Sequence, residues 1–174
     1  PNAQLLVRAL TFSSGARWHV ADPTPASDLT WLDLEAGGHT DLGAALRLLG
    51  AELTDSAMPE RSIPPVLVLV TDGYPTDDFR ASLQAFLALP WARRAVRLAI
   101  AIGRDANVAV LNAFIANPAI APLTANNPEA LVRYISWASV TGIRQVSMPL
   151  DPGAGHRVAQ APSVPLADSS DDVW

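Results

Sequence analysis

Two short, unbroken apolar runs constrain this chain most: VLVLV at residues 66–70 and VRLAIAI at residues 96–102. Each is bounded by turn chemistry, Thr71-Asp72-Gly73 after the first and Gly103 after the second. Runs of this length with no polar alternation read as strands buried on both faces, the pattern of a parallel sheet. Between them, residues 77–89 place Phe79, Leu83, Phe86 and Leu87 at helical spacing. A strand, a helix and a second parallel strand require a crossover connection with helices packed on the sheet. The expected fold class is therefore α/β, a Rossmann-like and mostly parallel sheet with helices on both faces.

The alternation extends in both directions. Residues 5–12 read as a strand, Ser13-Ser14-Gly15 as a turn, and residues 16–21 as a second strand antiparallel to the first. Residues 22–27 form a Pro-rich loop, and residues 29–34 lead to a turn at Gly37-Gly38. Residues 41–53 carry Leu42, Ala45, Leu46, Leu49 and Leu53 at helical spacing. Further on, residues 107–115 read as a helix and 120–123 as a short strand. Residues 128–139 read as a helix capped by Asn127, with Pro128 at its tolerated first position. Residues 143–150 read as one more strand. The domain is expected to occupy residues 1–141. Residues 142–174 are a C-terminal extension or tail, rich in Pro and Gly and acidic at its end.

Composition removes several chemistries. There is no cysteine, which excludes disulfides, thiolate metal sites and cysteine nucleophiles. Lysine is absent too, which excludes a P-loop phosphate clamp and Schiff-base catalysis. A formal net charge of −5 disfavours a nucleic-acid partner. No apolar run approaches the roughly 18 residues of a membrane helix. The sequence opens at Pro1 with no basic-then-apolar leader, so a cytoplasmic location is expected.

Asp72 closes the apolar run at 66–70, and in open α/β sheets ligands bind at the carboxyl ends of strands. A carboxylate there suits a hard cation or a positively charged group; the plainer alternative is a turn or capping aspartate. Thr40, in GGHTDLGAAL, sets a hydroxyl where a Gly-rich turn opens a helix; its plainer alternative is an N-cap. Together they offer two oxygens of the kind that hold magnesium. His19, His39 and His156 are too scattered to form a metal cluster, and His39 reads as a loop residue beside the site. Thr76 or Asp77 is expected to cap the following helix; Asp77 and Asp78 together read as a capping pair, with Asp78 favourable to its dipole, the alternative being an electrostatic role near a metal. Trp31, Trp91 and Trp137 read as packing residues, and Arg93, Arg94 and Arg97 as a solvated face.

GGHTDLGAAL and LVTDGYPTD, in this order and spacing, resemble the von Willebrand factor A (VWA) domain and two of the three motifs of its metal-ion-dependent adhesion site. The TDGxPTDD form and ANNPEALVRYISWAS look most like the tellurite-resistance TerY-like branch. The resemblance covers roughly residues 4–141. It implies Thr40 as a metal ligand and Asp72 as a second, usually reaching the metal through water. The ion implied is Mg2+, with Mn2+ or Ca2+ as alternatives. The third motif, Asp-x-Ser-x-Ser, occurs nowhere in the 174 residues. The family's N-terminal strand, which carries it, and the helix that goes with it are expected to be missing from this chain, and metal binding then depends on that segment being supplied. Otherwise the flanking strands pair directly, or residues 143–150 fill the vacancy without providing ligands.

The function implied is a non-enzymatic protein-interaction module, in which a partner's acidic residue completes the metal shell. The contact face would include His39, Asp41, Gly73, Tyr74 and Asp77, with Trp174 as an aromatic anchor in the tail. The branch implies an intracellular adaptor in a bacterial stress-response or defence system, working with a protein kinase and a metal-dependent phosphatase. Two alternatives remain: a degenerate, metal-independent scaffold, and a metal-assisted hydrolase. The second needs a nucleophile or base beside Asp72, and no Gly-x-Ser-x-Gly elbow or nucleotide fingerprint is present.

Overall fold

In the computed structural model the run at 66–70 is β3 (Val66–Thr71), and it pairs in parallel with β4 (Val96–Ile102) from Val66 opposite Val96 to Thr71 opposite Ala101. The structure describes residues 5–35, 37–58, 63–103 and 106–147, with the side chains of 138–147 excluded. The chain divides into two units: Pro1–Pro59 with Pro75–Ala92, and Glu60–Tyr74 with Arg93–Trp174.

The second unit holds the parallel sheet, in the order β3-β4-β5, with β5 at Leu123–Ala125. β4 is central, and four consecutive residues from Leu98 to Ala101 are buried there. Both neighbours and two helices cover it, α4 (Val108–Ile115) and α5 (Pro128–Ser147). Ile100, Ala125, Ala130 and Tyr134 form its core, with Val70, Leu123 and Leu131 packed against them. β3 is less enclosed: only Leu69 and Thr71 are buried, and Val68 is exposed. Among the described residues its outer edge has no partner strand.

Caps fix the helix starts in this unit. Asn107 accepts hydrogen bonds from the N–H groups of Ala109 and Val110 at the start of α4. Asn127 does the same for Ala130 in α5, as expected from the sequence. Arg97 departs from expectation. It is half-buried, and its Nε donates to the carbonyls of Phe114 and Ile115, where α4 ends. A cation suits a helix C-terminus, and burial holds the guanidinium pKa below its usual value. Arg93 and Arg94 are exposed.

The first unit combines an antiparallel hairpin with two helices. β1 (Leu6–Ser13) and β2 (Gly15–Pro25) meet through a tight turn at Gly15, whose φ of 90° is in the left-handed region. No residue of either strand is fully buried. α1 (Leu42–Ala51) and α2 (Phe79–Ala88) pack together, burying Leu42, Ala45 and Leu46 with Phe79, Leu83 and Phe86. A Cβ on Gly50 would sit 3.2 Å from Leu89 Cδ1, so the glycine permits the close approach. The end of α1 is tied to the hairpin by Arg8, which donates to Glu52 at 2.9 Å.

Several local expectations need correction. Residues 143–147 are helical: α5 continues past Gly142 to Ser147, and residues 148–150 lie outside the described residues. One interior glycine costs a helix about 1 kcal/mol, and no proline intervenes before Pro149. Residues 143–150 therefore do not supply another strand over their described part. β2 extends through Pro25, where a loop was expected from residue 22; pairing shifts near Val7 and Ala9 accommodate it. The short strand expected at 120–123 lies at Leu123–Ala125 instead. A short helix, α3 (Pro90–Arg94), follows α2, and Trp91 is buried in it as expected of a packing residue. Trp31 is 54% exposed, its ring tilted against His19 with centroids 4.4 Å apart.

Candidate metal and partner site

The start of α1 is built from three loops of the first unit. The N-cap position is Asp41, and its side chain makes no capping bond to the helix. The carboxylate turns away, accepting from the Gly15 N–H at 2.7 Å and from the Thr76 hydroxyl at 2.9 Å. Its backbone N–H donates to the Ser13 carbonyl. These hydrogen bonds, the one from Gly15 first, hold the Asp41 carboxyl below its usual pKa.

The cap comes from Asp77. Its carboxylate accepts from the N–H of Gly43 at 2.8 Å and of Ala44 at 2.7 Å, satisfying two donors of the first turn. The negative charge also suits the helix N-terminus. Arg47, one turn along, lies 3.7 Å from the same carboxylate and donates to Ser82 at 2.6 Å. Gly43 is required by this arrangement, because a Cβ there would come within 2.7 Å of Asp77 Oδ2 and 2.9 Å of Ser82 Oγ. The sequence offered Thr76 or Asp77 as the cap of α2, and the pair Asp77-Asp78 as its capping carboxylates. Of these Asp78 caps α2, accepting from the Ala81 N–H, and the reading of Thr76 or Asp77 there is corrected.

Thr40 sits just before this helix and is not its cap. Its N–H donates to the Thr76 hydroxyl at 2.9 Å, and its carbonyl accepts from the Thr76 N–H at 3.0 Å. Among the described residues its own hydroxyl enters no hydrogen bond. His39 is exposed, and its N–H donates to the Ser14 hydroxyl at 3.4 Å. Gly38, at φ 86°, packs on Ser14 so closely that a Cβ would lie 2.9 Å from its hydroxyl.

Asp72, Gly73 and Tyr74 belong to the second unit, at the carboxyl end of β3. The turn there is held by buried Thr71, whose hydroxyl accepts from the Gly73 N–H at 3.3 Å. Asp72 is exposed, and no hydrogen bond or ion pair from its carboxylate exists among the described residues. Tyr74 is 63% exposed. Trp174 and His156 lie outside the described residues.

The structure thus brings together Thr40, Asp41 and Asp77, which the sequence singled out, with Ser14, Gly15 and Thr76, which it did not assign to the site. The signal was present in the polar triplet Thr76-Asp77-Asp78, but spacing alone does not say which helix a carboxylate caps. Asp41 and Asp77 spend their carboxylates on backbone and hydroxyl donors. Among the described residues the Thr40 hydroxyl, in the first unit, and the Asp72 carboxylate, in the second, enter no hydrogen bond. Each by itself is a hard donor of the type magnesium and calcium take, and one such oxygen is fewer than either ion needs. Among the described residues no group of three or more His, Asp or Glu side chains could hold a metal ion.

The von Willebrand factor type A domain model matches residues 20–136, more than half of the chain. The chain belongs to the von Willebrand factor type A domain family. The VWA domain also shares its fold with the crystal structure of the ArnB paralog VWA2 from Sulfolobus acidocaldarius, at a TM-score of 0.55 and 18% sequence identity. That likeness covers 80% of this chain and 34% of the other, so the chain spans about a third of its solved relative. No curated protein matches it. VWA domains are commonly protein-interaction modules, and the parallel sheet with its packed helices is the arrangement expected of one.

Proposed function

We propose that this VWA domain is a non-enzymatic interaction module that grips an acidic side chain of a partner protein through a shared divalent cation. The observation that supports this reading is the release of two side chains from structural duty. Thr40 would be an ordinary N-cap and Asp72 an ordinary turn aspartate, but Asp77 caps α1 and Thr71 holds the turn. Among the described residues neither side chain caps a helix or bonds within its turn, which supports reading them as a hydroxyl and a carboxylate on loops of the kind that carry ligands. Only Gly73, Tyr74 and Pro75 separate Asp72 from Thr76, the residue that clamps Thr40.

Thr40 and Asp72 would hold Mg2+, or Mn2+ or Ca2+, and the cation would supply a positive charge for the partner's carboxylate. Further oxygens would come from an Asp-x-Ser-x-Ser loop on a strand outside this sequence. The outer edge of β3, which has no partner strand among the described residues, supports such a strand. His39, Gly73 and Tyr74 would flank the contact, and Trp174 would anchor the tail. In the TerY-like reading the partners are a protein kinase and a metal-dependent phosphatase, in a cytoplasmic bacterial stress or defence system. A metal-independent scaffold is the second reading, favoured by the absence of the Asp-x-Ser-x-Ser loop from these residues.

The test is a Mg2+ titration by calorimetry, on this chain and on a version extended by the segment encoded upstream. Binding should be present in at least one form and lost in Thr40→Ala and Asp72→Ala, with circular dichroism unchanged. Binding unaltered in both variants would falsify the metal model. No binding in any form leaves the scaffold reading in its place.

A further inference from the structure

We propose that Thr76 is the positioning residue for Thr40, and that it works through the backbone rather than by touching a ligand. This rests on the reading of Thr40 as a metal-binding residue.

Three hydrogen bonds make Thr76 a two-point clamp with a fixed polarity. Its hydroxyl donates to the Asp41 carboxylate at 2.9 Å. An ionised carboxylate can only accept, so the hydroxyl proton is committed to Asp41 and the oxygen's lone pairs are turned to the Thr40 N–H, also 2.9 Å away. The Thr76 N–H then closes on the Thr40 carbonyl at 3.0 Å. Thr76 therefore bonds both backbone groups of Thr40, whose carbonyl also accepts from the Leu42 N–H at 2.9 Å. The next residue is fixed from the other side, because Asp41 is bonded through its N–H to Ser13 and through its carboxylate to Gly15. With N–H and carbonyl held, the φ and ψ of Thr40 are set. A threonine on a fixed backbone has few χ1 choices, so its hydroxyl points in a defined direction before any ion arrives.

Neither Asp41 nor Asp77 can substitute. The Asp41 carboxylate reaches Thr40 only through Thr76, and Asp77 bonds beyond Thr40, at Gly43 and Ala44. The Thr76 side chain is exposed, so removing its hydroxyl leaves no cavity in the core.

The experiment compares Thr76→Val, which keeps the shape and loses the hydroxyl, with Thr76→Ser, which keeps the hydroxyl. Two readouts are taken on the full chain, in whichever form binds Mg2+: the affinity for Mg2+ by calorimetry, and the amide hydrogen exchange of Thr40 without metal. Thr76→Val should weaken Mg2+ binding by about tenfold, as loss of a partner that orients a metal ligand does. It should speed Thr40 exchange in the metal-free protein, and Thr76→Ser should restore both. Faster exchange with unchanged Mg2+ affinity would reduce Thr76 to a structural contact and overturn the proposal. So would wild-type affinity and exchange in Thr76→Val. If the wild-type protein binds no Mg2+ in either form, the metal reading fails first and the positioning role falls with it. That result is distinct from a wild type that binds and a variant that binds equally well.

Discussion

Asp77 and Gly43 lie 34 positions apart in sequence, yet the carboxylate of one takes the backbone N–H of the other at 2.8 Å and so caps a helix to which it does not belong. The neighbouring bond to Ala44 makes the contact bidentate. Asp77→Ala should therefore destabilise the first unit by about 1–2 kcal/mol, the usual cost of losing a helix cap with ionised acceptors. Urea unfolding followed by circular dichroism measures it. Asp78→Ala should cost less, near the low end of the capping range, because Asp78 holds a single N–H at 3.3 Å.

Gly43→Ala separates propensity from packing. Alanine is favoured over glycine inside a helix by about 1 kcal/mol. Here the added Cβ would meet both Asp77 and Ser82 inside 3.0 Å, which forces the cap away. The net effect should be destabilising by about 1–2 kcal/mol. A stabilised variant would show that the Asp77 side chain moves aside without loss.

Acid should loosen the loop cluster through Asp41. Its carboxyl titrates below the ordinary value in the folded protein, first because of the Gly15 N–H and then the Thr76 hydroxyl. A depressed folded pKa contributes stability that is complete above the unfolded value of 3.8 and is lost as pH falls through the folded value. Wild type and Asp41→Asn should therefore have stability curves of different slope below about pH 4 and parallel curves near neutrality. Parallel curves over the whole acid range would show that Asp41 gains nothing from its partners.

Ile100 is wholly buried at the centre of β4, touching the core that β5 and α5 build around it. Ile100→Ala should cost about 3–4 kcal/mol, combining lost transfer energy with a cavity. Asp72→Ala, in contrast, should stay within about 0.5 kcal/mol of wild type, since the side chain is exposed and forms no bond among the described residues. Thermal melts of the two variants, run side by side, check both expectations.

The parallel pair β3 and β4 was legible because burial on both faces leaves an unmistakable apolar run. The helix at 41–53 was legible because its stripe is regular. Thr40 and Asp72 stood out through motif spacing, and their placement on a loop before α1 and at the end of β3 agrees. The job of Asp77 was not legible. It lies next to α2 in sequence, and nothing local reveals that its partners are the N–H groups of α1. The end of α5 was misread for a similar reason: a glycine and a β-branched stretch at 140–146 weaken helix propensity, but a helix already nucleated and packed at Ala130 and Tyr134 extends through them. The hairpin's extra length was hidden by Pro23 and Pro25, which an outer strand with a shifted register accommodates.

Among the described residues the outer edge of β3 is open, and that has a consequence for the domain's solubility. Its VLVLV stretch has no charge, proline or bulge to discourage pairing with a stranger, the guards that solitary edges normally carry. Left bare, such an edge is a template for pairing with a second copy, so the tendency of these residues to self-associate is set by how that edge is covered.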